Sequence, residues 1–239
     1  MVDLSGKVAL VTGGTRGIGR GIVDGLAEAG ASVVASSRTA ERVEAVEKEL
    51  RDAGHDALCL ACDVRNPDDC ERMVEQAVER FGGVDILVNN AGLGIFRPIQ
   101  EMSAEEWLVQ VETNLNGVFY CSRAAIPHLV ERGEGWIINI GSIAGRNANP
   151  GGAAYNATKW GLLGMTEAMM LDLRHEGVRV TTVMPGSVET HFFGEEPVEE
   201  TWRLLPSDVA RAVLDLLAYP SRALPSRLEL RPSRPPKKS

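Results

Sequence analysis

The sequence predicts an α/β fold: a doubly wound, Rossmann-type parallel sheet of about seven strands with helices on both faces, in a single domain. Short β-type apolar runs alternate along the chain with longer stretches of helical period. A glycine string follows the first apolar run directly and opens a helical pattern. The 239 residues are 44% hydrophobic and 24% charged, and no Pro/Gly/Ser-rich stretch splits them. That is globular composition at a length that buries a sizeable core.

Strands are predicted at about Val8–Thr12, Ser32–Ser36, Ala57–Cys62, Ile86–Asn89, Trp136–Ile140, Val178–Met184 and Arg227–Arg231. Ile18, Ile22 and Leu26 mark a first helical face that stops at Gly30, and Val43, Val46 and Leu50 a second that stops before Gly54. Glycine suits the left-handed cap at each stop. Asn66-Pro67 opens a third helix, with Met73, Val74, Ala77, Val78 and Phe81 inward. The capping box Ser103-Ala104-Glu105-Glu106 opens a long fourth, to about Glu131. A fifth runs from about Ala153 to His175, and Ser207-Asp208 starts a last one facing the core through Val209, Val213 and Leu217. Residues 1–230 form the domain, with a flap at about 187–206, and the basic, proline-rich Arg231–Ser239 reads as a tail.

The net charge of -8 argues against nucleic acid as a partner. No stretch approaches the roughly 20 apolar residues of a membrane span, and the N-terminus has no signal-peptide pattern, so a cytoplasmic protein without membrane contact is expected. Cys59 and Cys62 have C-x-x-C spacing but no second pair follows. In the run Ala57–Cys62 they read as small apolar residues of a buried strand, and no metal is expected.

After the first strand comes Thr12-Gly13-Gly14-Thr15-Arg16-Gly17-Ile18-Gly19. Glycines there permit a tight turn and close backbone approach to a pyrophosphate, while the helix N-terminus attracts the anion. Three residues separate Gly13 from Gly17, Asp63-Val64 follows the third strand and Asn89-Asn90-Ala91-Gly92 the fourth. Ser142 follows the fifth, then Tyr155-x-x-x-Lys159, and Pro185-Gly186 follows the sixth. In order and approximate spacing these markers resemble the short-chain dehydrogenase/reductase family over almost the whole chain.

The resemblance implies an NADP(H)-dependent enzyme that moves a hydride between the cofactor and a small-molecule carbonyl or alcohol. Such a step needs a positioned acid, and Tyr155 is the candidate. Its reference pKa of about 10 must fall by roughly three units, about 4 kcal/mol, for easy exchange near neutrality. Lys159 lies one helical turn away on the same face, where its ammonium can act on the phenol. By resemblance Lys159 also holds the nicotinamide ribose, Ser142 orients the substrate carbonyl, and the backbone of Asn114 holds a water leading from the lysine.

The cofactor is expected to touch Gly13, Thr15, Arg16, Gly17 and Ile18 at the phosphates. Asp63 and Val64 are expected at the adenine, Asn90, Ala91 and Gly92 along the adenosine half, and Pro185, Gly186, Val188 and Thr190 along the nicotinamide. NAD-specific relatives carry an acid at the end of the second strand. Here Ser37 stands at that position and Arg38 follows, so two cations, Arg38 and Arg16, favour a 2′-phosphate.

Two other functions are compatible with the chain: an NADP(H)-binding regulator without turnover, and a 3-oxoacyl-carrier-protein reductase. The intact Ser142, Tyr155, Lys159 and Asn114 count against the first. The acidic flap residues Glu195, Glu196, Glu199 and Glu200 count against an acidic carrier. His191, Phe192, Phe193 and Trp202 offer that flap aromatic walls. A homotetramer or homodimer is expected, because apolar residues nearly encircle the fifth helix at Leu162, Leu163, Met165, Met169, Met170 and Leu171.

Overall fold

The computed structural model describes residues 2–193, 198 and 201–236. The flap residues Glu195, Glu196, Glu199 and Glu200, the side chain of Phe193 and the last three residues of the predicted tail lie outside that description. Seven strands form one sheet: β1 (Val8–Thr12), β2 (Ser32–Ser37), β3 (Ala57–Ala61), β4 (Ile86–Asn89), β5 (Gly135–Ile140), β6 (Val178–Pro185) and β7 (Arg227–Leu230). Their order is β3-β2-β1-β4-β5-β6-β7, and every neighbouring pair is parallel. The order reverses between β1 and β4, which opens a crevice at the carboxyl ends of those strands.

Alternation along each strand divides the core into two layers. Ala9, Val11, Val33 and Ala35 pack with Ile22 and Leu26 of α1 (Gly17–Glu28), Val46 and Leu50 of α2 (Ala40–Asp52), and Val213 and Leu216 of α7 (Pro206–Leu217). Val8, Leu10 and Val34 face the other way, onto Met73 and Ala77 of α3 (Pro67–Phe81) and Ala125 and Leu129 of α5 (Gly117–Glu131). Both faces of the central strands are therefore dry, which is why they read as continuous apolar runs.

The caps follow the sequence reading. The Asn66 side chain accepts from the Asp68 N–H at 3.0 Å, and α3 ends at Gly82 with φ 80°. Ser103 and Glu106 form both halves of a capping box at the start of α4 (Ala104–Val111).

One predicted element is not continuous. The helix expected from Glu105 to Glu131 is interrupted by a π-helical turn, Glu112–Asn116, between α4 and α5. Asn114 sits within that turn and spends its side chain on another segment, which supplies a reason for the insertion. At the far end, Gly186 N–H donates to Leu230 O at 2.8 Å, and a β-carbon on Gly186 would stand 3.1 Å from Cδ of Pro232. The start of the predicted tail thus packs on the turn after β6.

Beneath the crevice runs a chain of buried polar side chains. Asn89 Nδ2 donates to Ser122 Oγ at 3.0 Å and to Asn139 Oδ1 at 2.9 Å, and Asn139 Nδ2 donates to Thr166 Oγ1 at 2.8 Å. This ties β4 and β5 to α5 and to α6 (Ala153–Leu173). Replacing Asn139 by Ala removes the acceptor for Asn89 and leaves a buried donor short of a partner. The expected loss is about 2 kcal/mol of unfolding free energy in a urea titration; a variant within about 0.5 kcal/mol of the parent would show that the network does not hold these elements together.

Candidate active site

A cleft of about 580 Å³ lies across the carboxyl ends of the strands. It is lined by Gly13, Thr15, Arg16, Gly17, Ile18, Ser37, Arg38, Asp63, Val64, Asn90, Ala91, Gly92, Ser142, Tyr155, Lys159, Pro185, Gly186, Val188 and Thr190. Those are all the catalytic and cofactor-binding residues expected from the sequence except Asn114, which stands behind the wall; of the flap aromatics, His191 and Phe192 line the cleft and Trp202 does not.

The glycine loop is held by sterics as much as by bonds. A β-carbon on Gly19 would fall 2.2 Å from the Gly13 carbonyl oxygen, and one on Gly14 would fall 2.9 Å from Ala35 Cβ and Val23 Cγ2. Gly13 and Gly17 have φ of 65° and 53°, in the left-handed region that favours glycine. Across the crevice, Thr12 Oγ1 accepts from Asn90 N–H and Ala91 N–H at 3.0 Å each, and Asn90 Nδ2 donates to the carbonyls of Thr12 and Gly13 at 2.9 and 3.1 Å. The first turn of α1 carries no acidic side chain, so nothing there opposes an anion.

Ser37 and Arg38 stand at the end of β2 as predicted, and a further cation joins them. Arg42, in the first turn of α2, also lines the cleft. It is four residues beyond Arg38 with a strand-to-helix connection between, so helical spacing did not pair them. Asp63 lines this end too, its carboxylate accepting from Arg65 Nε at 3.0 Å to each oxygen. That bond is the main reason its pKa lies below the ordinary carboxylate range.

At the other end are Ser142, Tyr155 and Lys159. Ser142 Oγ accepts from the Ala144 N–H at 3.1 Å, fixing the turn that follows β5. Burial raises the pKa of the Tyr155 phenol, and the neighbouring Ser142 hydroxyl offsets that only in part. The downward shift expected from Lys159 is absent. Lys159 Nζ lies 5.8 Å from the Tyr155 ring centroid and donates to the Ile140 carbonyl at 2.9 Å. Burial also lowers the lysine's own pKa to about 8.

Asn114 Oδ1 accepts from Leu93 N–H at 2.9 Å, while its Nδ2 donates to Leu93 O at 2.8 Å and to Thr158 Oγ1 at 3.1 Å. A β-carbon on Gly92 would come 3.2 Å from Asn114 Oδ1 and 3.8 Å from Lys159 Nζ. Only a glycine-thin wall therefore separates these two side chains. The roles of Thr158, and of Gln110, whose Oε1 accepts from Ile95 N–H at 3.0 Å, carried no sequence pattern. Phe96 and Phe192 flank the Tyr155 ring; Phe96 sits in an irregular segment with no periodicity to reveal it.

Cys59, Cys62, Cys70 and Cys121 are free and buried. Burial pushes the Cys59 thiol up to about 11, and Cys62 and Cys70 are also raised, chiefly by thiol–thiol hydrogen bonds. Among the described residues no His/Cys/Asp/Glu group could hold a metal ion, and no helix is long and apolar enough to cross a membrane.

The short chain dehydrogenase family model matches residues 7–201. A 3-oxoacyl acyl-carrier-protein reductase, FabG, of Vibrio cholerae is 41% identical over 189 residues, covering 79% of this chain and 76% of that protein. A 3beta-hydroxysteroid dehydrogenase of Eggerthella lenta is 40% identical over 190 residues, 79% and 73% of the two chains. Among solved structures, a metagenomic short-chain oxidoreductase in complex with NADP superposes with a TM-score of 0.85 at 36% identity, covering 97% of this chain and 99% of that one. An alcohol dehydrogenase from Thermococcus sibiricus complexed with 5-hydroxy-NADP gives 0.90 at 32% identity, with the same coverage.

The Lys159 environment has a measurable consequence. In the unfolded chain its pKa is about 10.5 and in the fold about 8, so between those values the unfolded state binds more protons and stability rises with pH. Below pH 8 the cost of burying the charge is present in full. Relative to Lys159→Met, the parent should gain up to about 3 kcal/mol as pH rises through this window. Parallel stability curves for the two proteins between pH 7.5 and 10 would contradict a buried, easily discharged lysine.

Proposed function

The chain belongs to the short-chain dehydrogenase/reductase family, and from that premise we propose that it is an NADP(H)-dependent oxidoreductase interconverting a carbonyl compound and its alcohol. One observation carries the reading: a single cleft has Ser142, Tyr155 and Lys159 at one end and a neutral Ser37 with Arg16, Arg38 and Arg42 at the other. Glycines that bring the backbone to the cleft surface, and an α1 N-terminus free of acids, fit the pyrophosphate of a dinucleotide. Three guanidiniums beside a neutral Ser37, with the Asp63 carboxylate there held by Arg65, fit a ribose 2′-phosphate.

When bound, the cofactor supplies the hydride that reduces the carbonyl carbon. Tyr155, kept protonated by burial, delivers a proton to the developing alkoxide. Ser142, whose hydroxyl favours the ionised phenol, stabilises the phenolate left behind and orients the carbonyl oxygen. Lys159, with a pKa of about 8, is mostly charged at neutral pH and offers its ammonium to the ribose of the bound cofactor. Asn114 acts at a distance, holding Leu93 and the wall beside Lys159.

Similarity to FabG favours a second reading, reduction of 3-oxoacyl groups on an acidic carrier protein. Against it, Arg97 pairs with Glu106 at 2.7 Å and Arg146 with Glu229 at 3.7 Å, so each of these arginines already faces a carboxylate rather than an acidic partner.

Kinetics against a carbonyl panel test the proposal. NADPH should be at least about tenfold more efficient than NADH, equivalent to ~1.4 kcal/mol. Ser37→Asp with Arg38→Leu should erase or invert that preference, and Arg42→Ala should narrow it. Tyr155→Phe should keep cofactor affinity and lose roughly 100-fold in turnover. Equal use of both cofactors would remove the phosphate assignment, and full activity of Tyr155→Phe the catalytic one.

The same reading includes a homo-oligomer, most readily a tetramer, assembled through α6 and the α4–α5 pair. Trp160 and Leu171 on α6 and Phe119 on α5 are apolar and about half exposed, and a β-carbon on Gly164 would meet nothing within 4 Å. Gly164→Trp should therefore leave the protomer folded but break the assembly, seen as a drop in mass by light scattering. A monomeric parent at micromolar concentration, or an unchanged mass in the variant, would refute this interface.

A further inference from the structure

This inference rests on the reading of the cleft as a carbonyl site and concerns which carbonyl compounds it takes. Phe96 and Phe192 lie on the Tyr155 ring at centroid separations of 5.3 and 5.8 Å, tilted by 55° and 57°. They come from segments far apart in sequence. Both close over Gly94, where a β-carbon would stand 2.9 Å from Phe96 Cε2 and 3.0 Å from Phe192 Cε1.

Each ring is held from behind. The Phe96 segment is pinned on both sides: Leu93 N–H donates to Asn114, Ile95 N–H to Gln110, and Arg97 N–H to the Gly151 carbonyl at 2.8 Å. Phe192 N–H donates to Thr190 Oγ1 at 3.2 Å. Thr190 adjoins the base of the flap, where Glu189 N–H donates to Leu204 O at 2.8 Å and Leu204 N–H to Ser187 O at 2.9 Å. The buried Glu189 carboxylate accepts from Thr201 Oγ1 at 2.6 Å and pairs with Arg203 at 3.4 Å.

So firmly placed, the two rings nevertheless remain 37% and 38% exposed. Apolar surface that a fold positions but does not bury, inside a cleft and against a reacting group, is surface for a ligand. The charges point the same way. Arg16, Arg38, Arg42 and Asp63 lie toward the adenosine end, and Lys159 is the one Lys, Arg, Asp or Glu among the described lining residues at the Tyr155 end. A carboxylate carried on the substrate would lose water there without gaining a guanidinium.

We propose that Phe96 and Phe192 form an aromatic clamp that selects neutral ketones, and the matching alcohols, bearing a flat aryl or fused-ring group beside the carbonyl. Tilted rings meet a flat π-system edge-to-face or offset, whereas a puckered group of the same size cannot use that geometry.

The test compares kcat/KM with NADPH for acetophenone, cyclohexyl methyl ketone and the anion 3-oxobutanoate, in the parent and in Phe96→Leu and Phe192→Leu. NADPH titration by fluorescence verifies that each variant is folded. The parent should favour acetophenone over cyclohexyl methyl ketone at least about tenfold, with 3-oxobutanoate poorest, and that ratio should fall toward unity in both variants. A ratio near one in the parent, a preference for the anion, or an unchanged ratio in both variants would overturn the clamp. Absence of NADPH oxidation with every ketone would instead count against the oxidoreductase reading. Saturation-transfer NMR of acetophenone on the NADP-loaded protein then decides the clamp separately: transfer to the phenyl protons that is lost in the double variant supports it, and no transfer in the parent refutes it.

Discussion

Between the carboxyl ends of β1 and β4 the ladder of backbone hydrogen bonds stops, and side chains take its place. Register between the two strands runs from Ala9 opposite Ile86 to Val11 opposite Val88. One residue later Thr12 Oγ1 accepts two N–H groups from Asn90 and Ala91, and Asn90 returns two bonds to the carbonyls of Thr12 and Gly13. Helices leave these strands toward opposite faces, so the chain must part here, and a parting sheet exposes backbone groups that need partners. Satisfying them with side chains keeps the crevice both open and rigid. The glycine loop, the Asn90–Gly92 wall and the cleft itself are positioned from this stitch.

A second polar layer lies deeper. Asn89 and Asn139 face each other across β4 and β5 in register and reach Ser122 and Thr166 on the helices of one face. Buried amides of this kind add little net stability when satisfied and cost a good deal when broken. They act mainly to define one register of sheet against helix. That register carries Ser142, at the end of β5, and Tyr155 and Lys159, on α6, to a common point. The π-helical turn at Asn114 serves the same end, because an extra residue in the helix turns the asparagine toward Leu93 rather than along the helix surface.

The cleft is electrostatically divided. Its exposed arginines gather where α2 and the glycine loop begin, where solvated cations can meet a phosphate at small desolvation cost. Its other cation, Lys159, is buried, and burial rather than a neighbouring charge governs its proton affinity. Burial likewise dominates Tyr155. A dry end that suits proton transfer and a wet end that suits phosphate recognition are thus built into one groove.

Periodicity determined the strands to within a residue or two, because in a sheet covered on both faces most strand residues are apolar, as Val8–Val11 and Ile86–Val88 are, with the polar Thr12 and Asn89 falling at the carboxyl ends. Caps such as Asn66 and Ser103 were legible for a similar reason: they act within three residues of their own position. The fixed spacings of Gly13 to Gly17 and Tyr155 to Lys159 were legible because each falls within one turn or one helix face, and the rest of the expected cleft lining followed from the resemblance to the short-chain dehydrogenase/reductase family. What the sequence did not reveal depends on residues far apart in the chain. The pairing of Asn114 with Leu93, the approach of Arg42 to the cleft beside Arg38, the meeting of Phe96 and Phe192 over Gly94, and the upward shift of the Tyr155 pKa all follow from packing between separate elements. Burial, distance and desolvation are properties of the folded arrangement, and no local pattern encodes them.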